Sequence, residues 1–294
     1  MNGSSERSLP YLFLGPALLV MLLVVVYPFG YNIWISLTNM NLYHLRDPTF
    51  LGFEHYRNIL GEPELVAVFI KTVLWTVVNI FFHVTIGTAL ALLLNQEIRG
   101  RSVFRALLIL PWAMPQYITA LTWRGMFNFE YGQVNLILTE WFGFEAIPWF
   151  GSETWAFTAA ILTNIWLGFP FMMIVALGGL QSIPEEMYEA ARIDGAGRWQ
   201  RMREITLPLL RPVMVPAILL GTIWTFNNLN VIWLVTNGGE PADKSHILVS
   251  QVYKAAFTYY RYGYAAAFSM VIFLILLVLV IVYMRQTRAT ERVY

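Results

Sequence analysis

From Tyr264 to Met284 the chain runs 21 residues without a single charged side chain. About 20 mostly apolar residues in a helix cross the roughly 30 Å hydrocarbon core of a bilayer, so this segment alone points to a membrane. Five other runs share its character, and together they give six expected spans: roughly 11–37, 66–94, 104–126, 154–180, 209–236 and 263–284. Inside hydrocarbon each span must satisfy its own backbone hydrogen bonds, which leaves helices as the natural solution. The expected fold is therefore all-α: a polytopic membrane protein of six transmembrane helices, with 1–294 as a single transmembrane domain. The third run is the weakest, interrupted by Pro111 and Pro115 and closed by Arg124. Composition agrees, since only 13% of residues are charged, about half the share of a soluble domain. The first run is longer than the roughly 7–15 apolar residues of a secretory signal, so it is read as a retained span.

The basic residues orient the chain. With the amino terminus in the cytoplasm, 12 of the 19 Lys and Arg fall on that side, among them Arg7, the cluster from Arg192 to Arg211, Arg285, Arg288 and Arg292. The positive-inside rule then places both termini in the cytoplasm of a multi-pass protein of the cell (inner) membrane. The outer loops near 38–65 and 127–153 are aromatic, with Tyr43, Tyr56, Trp141 and Trp149. Most such rings are expected among headgroups, and a platform for an extracytoplasmic partner is the alternative.

Between spans four and five lies QSIPEEMYEAARIDGAGRWQRMREITLPLLRP, the longest charged segment on the cytoplasmic side. Ser182 followed by Glu185 predicts a capping box, with Pro184 accepted in the first turn. A short helix is expected over 183–194, stopped by Gly195 and Gly197, and a second piece from Arg198 leads through Pro208 into span five. Ala190 and Ala191 keep the first helix thin, so another protein can approach its backbone.

Several chemistries are excluded. There is no cysteine, hence no thiolate metal site or cysteine nucleophile. No GxxxxGK[ST], HExxH or GxSxG occurs, so nucleotide binding, zinc hydrolysis and a serine elbow lack their residues. His44, His55, His83 and His246 are scattered, and His83 reads as a packed polar residue. A net charge of +1 offers no basis for nucleic-acid binding. Few acidic residues sit at mid-membrane depth, so ion coupling is not indicated and energy must enter from outside the chain.

Span five contains GTIWTFNNLNVIW, which sets amides beside aromatic rings, the combination suited to sugar hydroxyls and flat C–H faces. At 100° per residue Gly221, Trp224, Thr225 and Asn228 share a face, with Asn227 at its edge. The small Gly221 leaves room that Trp224 would border. Asn230 points elsewhere and is expected to bond a neighbouring helix.

Glu189-Ala190-Ala191, three residues, Gly195, nine residues, then Ile205-Thr206-Leu207-Pro208 resembles the EAA signature of bacterial ABC-importer permeases. From about Phe104 onward, TWRGMFN, NIWLGFPFMMI, DGAGRWQRM and FNNLNVIWLVTNGG are similar to the maltose-type sugar permeases. The resemblance implies a type I ABC importer fold with a cytoplasmic EAA coupling helix. It assigns ATPase coupling to Glu189, Ala190, Ala191, Asp194, Gly195, Ile205, Leu207 and Pro208. It assigns sugar contact to Gly168, Phe171, Trp224, Thr225 and Asn228, beside Gly221 from the helical face. Phe171 lacks the family's tyrosine hydroxyl, Thr225 lacks its amide, and Trp224 is wider than its phenylalanine. The implied function is half of a translocation pathway for maltose or maltodextrin, trehalose or a related glycoside. The implied partners are a second homologous permease, two ATPase subunits carrying ATP and Mg, an extracytoplasmic sugar-binding protein and membrane lipid. The chain itself is expected to hold no cofactor or metal. Two alternatives stay open at this point: a polytopic membrane enzyme acting on lipid-linked or cell-wall sugar precursors, and a glycerol-phosphate permease.

Overall fold

The computed structural model describes residues 13–287. Arg7, Arg288 and Arg292, used for orientation, and residues 11–12 of the first run lie outside the described residues. Among the described residues the regular structure is helical, apart from one isolated bridge between Thr38 and Phe50. In chain order the helices are α1 (Phe13–Ser36), α2 (Glu54–Gly61), α3 (Pro63–Leu94), α4 (Arg101–Ala113), α5 (Gln116–Met126) and α6 (Gln133–Glu140). They continue as α7 (Glu153–Gln181), α8 (Glu185–Ile193), α9 (Arg198–Phe226), α10 (Leu229–Val235), α11 (Leu248–Tyr253) and α12 (Tyr262–Thr287).

Five of these, α1, α3, α7, α9 and α12, are long and apolar enough to cross a membrane. The expected third span is instead two helices, α4 and α5, parted at Met114 and Pro115. Met114 is extended (φ −77°, ψ 141°), as a residue before proline prefers, and Pro115 has no N–H to continue the ladder. Span five also departs from 209–236. It starts earlier, at Arg198, and stops at Phe226. Asn227 and Asn228 leave helical geometry before α10 resumes.

Contacts group the described residues into two units, one ending at Leu65 and rejoined by Gln251–Ile275, the other comprising Val66–Ser250 and the residues from Leu276. In the first, polar side chains tie α1, α2 and the start of α12. Asn32 Nδ2 donates to Ser269 Oγ at 3.0 Å, Ser36 Oγ lies 2.7 Å from Tyr56 Oη, and Tyr264 donates to the Glu62 carboxylate at 2.9 Å. No residue of α1's most apolar stretch is buried, as expected of a helix solvated by lipid.

The second unit packs around two cores. One gathers Trp75, Phe127, Trp149, Phe157, Val231 and Ile247, the other Leu94, Met172, Met173, Leu177, Leu210 and Met214. Small residues let backbones approach, as membrane helices require. A Cβ on Gly87 would stand 2.8 Å from the Met173 amide nitrogen, so the close approach of α3 to α7 at this level needs position 87 bare.

Candidate functional site

A cavity of about 520 Å³ lies within the second unit, where the α9–α10 break faces α3, α7 and the α4–α5 break. One wall is aromatic. Phe171 stands between Trp112 and Trp224, with ring centroids 6.3 and 5.2 Å away. Most of the polar lining is amide, an amide wall of Gln116, Asn164, Asn227, Asn228 and Asn230. No charged side chain lines the space.

The amide wall is built by the break in span five. Asparagine side chains compete for backbone groups and so favour helix ends. Asn227 Nδ2 donates to the Ile223 carbonyl at 3.1 Å, and Asn228 Oδ1 accepts from the Val231 N–H at 3.3 Å, capping α10. The carbonyl of Thr225 accepts from Trp75 Nε1 at 2.8 Å, which pins the break to α3. Asn228 Nδ2 donates to Asn164 Oδ1 at 2.8 Å, which pins it to α7. Asn164 Nδ2 is buried with no partner, a donor left over beside the cavity.

His83 completes this wall. Its Nε2 lies 2.9 Å from the Asn164 carbonyl. A carbonyl only accepts, so Nε2 carries the proton. The ring fits because residue 168 is glycine: a Cβ there would overlap it, lying 2.7 Å from Nδ1 and closer to Nε2 and Cε1.

All six residues expected at the sugar site, Gly168, Phe171, Gly221, Trp224, Thr225 and Asn228, line this one cavity. Three details differ from expectation. Asn230 also lines the cavity rather than pointing away, because the helical wheel assumed an unbroken helix through Asn228. Gly221 does not leave open room; a Cβ there would sit 2.6 Å from Met172 Cε, so Met172 fills the space. His83 is packed, as expected, but faces the cavity too. Sequence reasoning missed Trp112, Gln116 and Asn164. A search for polar residues inside apolar runs would have found the last two.

The second feature is the elbow between α7 and α9. The capping box does not form. Ser182 Oγ donates back to the Gly179 carbonyl at 2.8 Å, and Pro184, at the cap position of α8, has no side-chain acceptor. The helix is therefore Glu185–Ile193, shorter than 183–194. Its end is as expected: Gly195 has φ +82°, and the Ala196 N–H donates to the Ala191 carbonyl at 2.8 Å, the bond that closes a left-handed helix stop. Tyr188 Oη lies 3.0 Å from Thr206 Oγ1, tying α8 to the foot of α9.

No residue of α8 is buried. Glu189, Ala190, Asp194 and Gly195 are exposed, Ala191 and Ile205 are half-buried, and Leu207 and Pro208 are exposed on α9. Two apolar side chains stand out beside them, Ile193 at 87% and Trp199 at 78% exposure. Such groups in water call for a covering partner.

A bundle of membrane helices around an uncharged cavity, with an exposed elbow at one end, defines a transport subunit. The family described as binding-protein-dependent transport system inner membrane component matches residues 83–292. The trehalose/maltose transport system permease protein MalF of Thermococcus litoralis is 36% identical over 286 residues, covering 96% of this chain and 95% of its own length. The galactooligosaccharides transport system permease protein GanP of Bacillus subtilis is 35% identical, covering 95% and 70%. The maltose/maltodextrin permease MalF of Escherichia coli is 40% identical over 252 residues, 81% of this chain and 49% of that protein. Among solved structures, a bacterial ABC transporter that imports the acidic polysaccharide alginate matches with TM-score 0.83 at 22% identity, over 98% of each chain.

The chain belongs to the family of binding-protein-dependent transport system inner membrane components. It is a multi-pass membrane permease of an ABC importer, a transport subunit rather than an enzyme, with the type I importer fold. Membership removes the membrane-enzyme alternative.

Proposed function

We propose that this permease passes a neutral oligosaccharide, of the maltose, trehalose or galactooligosaccharide kind, through the cavity between Phe171, Trp224 and the amide wall. The supporting observation is the cavity's lining: aromatic rings together with amides, with no charged side chain. Rings cover the C–H faces of a sugar, and amides exchange hydrogen bonds with its hydroxyls. An anionic cargo such as glycerol phosphate would need a cation, and none lines this space. The relatives named for trehalose/maltose and galactooligosaccharides support the same class.

The remaining roles follow from the family and the elbow. A second, similar permease completes the pathway. Two ATPase subunits, carrying ATP and Mg, grip α8 through Glu189, Ala190, Ala191, Asp194 and Gly195, with Ile205, Leu207 and Pro208 forming the base of the elbow. Ile193 and Trp199 add apolar contact area there. An extracytoplasmic binding protein delivers the sugar. Both termini and the elbow lie in the cytoplasm, and the α4–α5 pair makes the sixth crossing. When ATP closes the ATPase pair, α8 moves with it and the helices open outward. The chain needs no cofactor of its own.

Reconstituted transporter in proteoliposomes tests the substrate class. ATP-driven uptake of a labelled neutral disaccharide or trisaccharide is expected, competed by other neutral glycosides and not by sugar phosphates or uronates. Preferred uptake of an anionic sugar would defeat this reading.

A further inference from the structure

The loop between α5 and α7 carries an apolar surface used by neither the cavity nor the elbow. One side of α6 is fixed. Asn135 Nδ2 donates to the carbonyls of Phe129 and Ile147 at 3.4 and 3.0 Å, and its Oδ1 accepts from Ile147 N–H at 3.1 Å and Trp149 Nε1 at 3.0 Å. Trp149 packs on Phe127, just past α5, and on Trp155 in the first turn of α7, at 4.7 and 5.4 Å. The other side is bare. Leu136 and Ile137 are exposed, and beyond the helix end Trp141, Phe142 and Phe144 are 77%, 64% and 63% exposed. These three rings present on the order of 400 Å² of apolar surface, comparable to the largest patch on a typical soluble monomer.

We propose that α6 and its Trp141–Phe144 tip form a foot that rests in the bilayer headgroup region, on the side opposite the elbow. Depth favours lipid as the occupant. The loop begins where α5 ends and finishes where the membrane helix α7 starts, at Ser152. Asn135 ties α6 to Phe129, Ile147 and Trp149, and Trp149 packs on Phe127 beside α5 and on Trp155 in α7, so the segment is anchored to two membrane helices. Chemistry favours it as well. From Phe127 to Ser152 there is no Lys or Arg, while Glu140 and Glu145 flank the rings. An apolar ring body with polar groups beside it is the pattern of interfacial residues. Phe129 and Tyr131, in the same loop, are exposed as well. Without cations the attachment is apolar, so it does not depend on anionic lipid or on salt. The inference is independent of which sugar is carried.

The chain has no cysteine, so single introduced thiols report cleanly. Phe142→Cys and Phe144→Cys, each bearing an environment-sensitive fluorophore, are placed in nanodiscs of neutral lipid brominated high on the acyl chains. Ile193→Cys on the elbow serves as the water reference. Both loop labels are expected to lose at least about half their emission to the bromines, equally in high salt and with anionic lipid, while the reference is little changed. Unquenched labels at both positions would overturn the proposal. So would quenching that requires anionic lipid, and so would shielding that appears only when the extracytoplasmic binding protein is added, which would make the surface a protein dock.

Discussion

Alanine at position 168 would place a Cβ on the His83 ring, 2.7 Å from Nδ1 and nearer still to Nε2 and Cε1. The ring is poorly able to yield, because its Nε2–H is held by the Asn164 carbonyl at 2.9 Å. If it stays, the overpacking costs about 1–3 kcal/mol. If it leaves, a buried imidazole N–H goes unpaired, at a similar cost of about 1–3 kcal/mol. Alanine is favoured over glycine in a helix by about 1 kcal/mol, which offsets part of either loss. The net expectation for Gly168→Ala is a destabilisation of about 1–2 kcal/mol. In a His83→Ala background the obstacle is gone, and the same change becomes neutral or stabilising by up to about 1 kcal/mol. The four proteins of this cycle, unfolded thermally in one detergent, give a coupling of about 2 kcal/mol between positions 83 and 168. Equal losses in both backgrounds would refute the packing described, as would no loss in the native background.

Asn228→Ala removes both the α10 cap and the bond to Asn164, so a stability loss of about 2 kcal/mol is expected with a higher KM for sugar uptake, checked by melting and transport assays on the same preparation. Gly195→Ala puts a side chain at φ +82°, costing about 1–2 kcal/mol locally at the elbow; ATP-driven uptake should fall while sugar selectivity is unchanged. His246, in the loop after α10, is lowered from its usual value to about 4 by burial and by the nearby Lys71 cation. Its neutral form is therefore favoured in the folded state, and its contribution is intact above about pH 6.5 and lost as pH falls toward 4. That shift corresponds to about 3 kcal/mol. Melting temperature against pH should fall less steeply over that window in His246→Gln.

The membrane helices were legible because bilayer thickness demands long apolar runs, and those runs are visible without any tertiary information. The elbow's stop was legible for a local reason as well: only glycine sits easily at φ +82°. What escaped was set by competition between groups. Ser182 Oγ closes the end of α7 on the Gly179 carbonyl, and α8 starts at Glu185 behind Pro184, two residues later than a Ser182 cap would require. Asn227 and Asn228 broke a helix that hydrophobicity alone carried through to 236, and that break turned Asn230 toward the cavity. In the sequence Gly221 looked like an opening and Gly168 like a sugar contact. In the structure they are sockets, one for Met172 and one for His83. Partners for a glycine are chosen by the fold, so no reading of residues in order could supply them.

The most direct test of the central claim is a structure of the assembled importer, trapped with ATP analogue and a neutral oligosaccharide. The sugar should lie against the faces of Phe171 and Trp224 with its hydroxyls on Asn228 and its neighbouring amides. Sugar seated on a path that touches none of these residues would contradict the account.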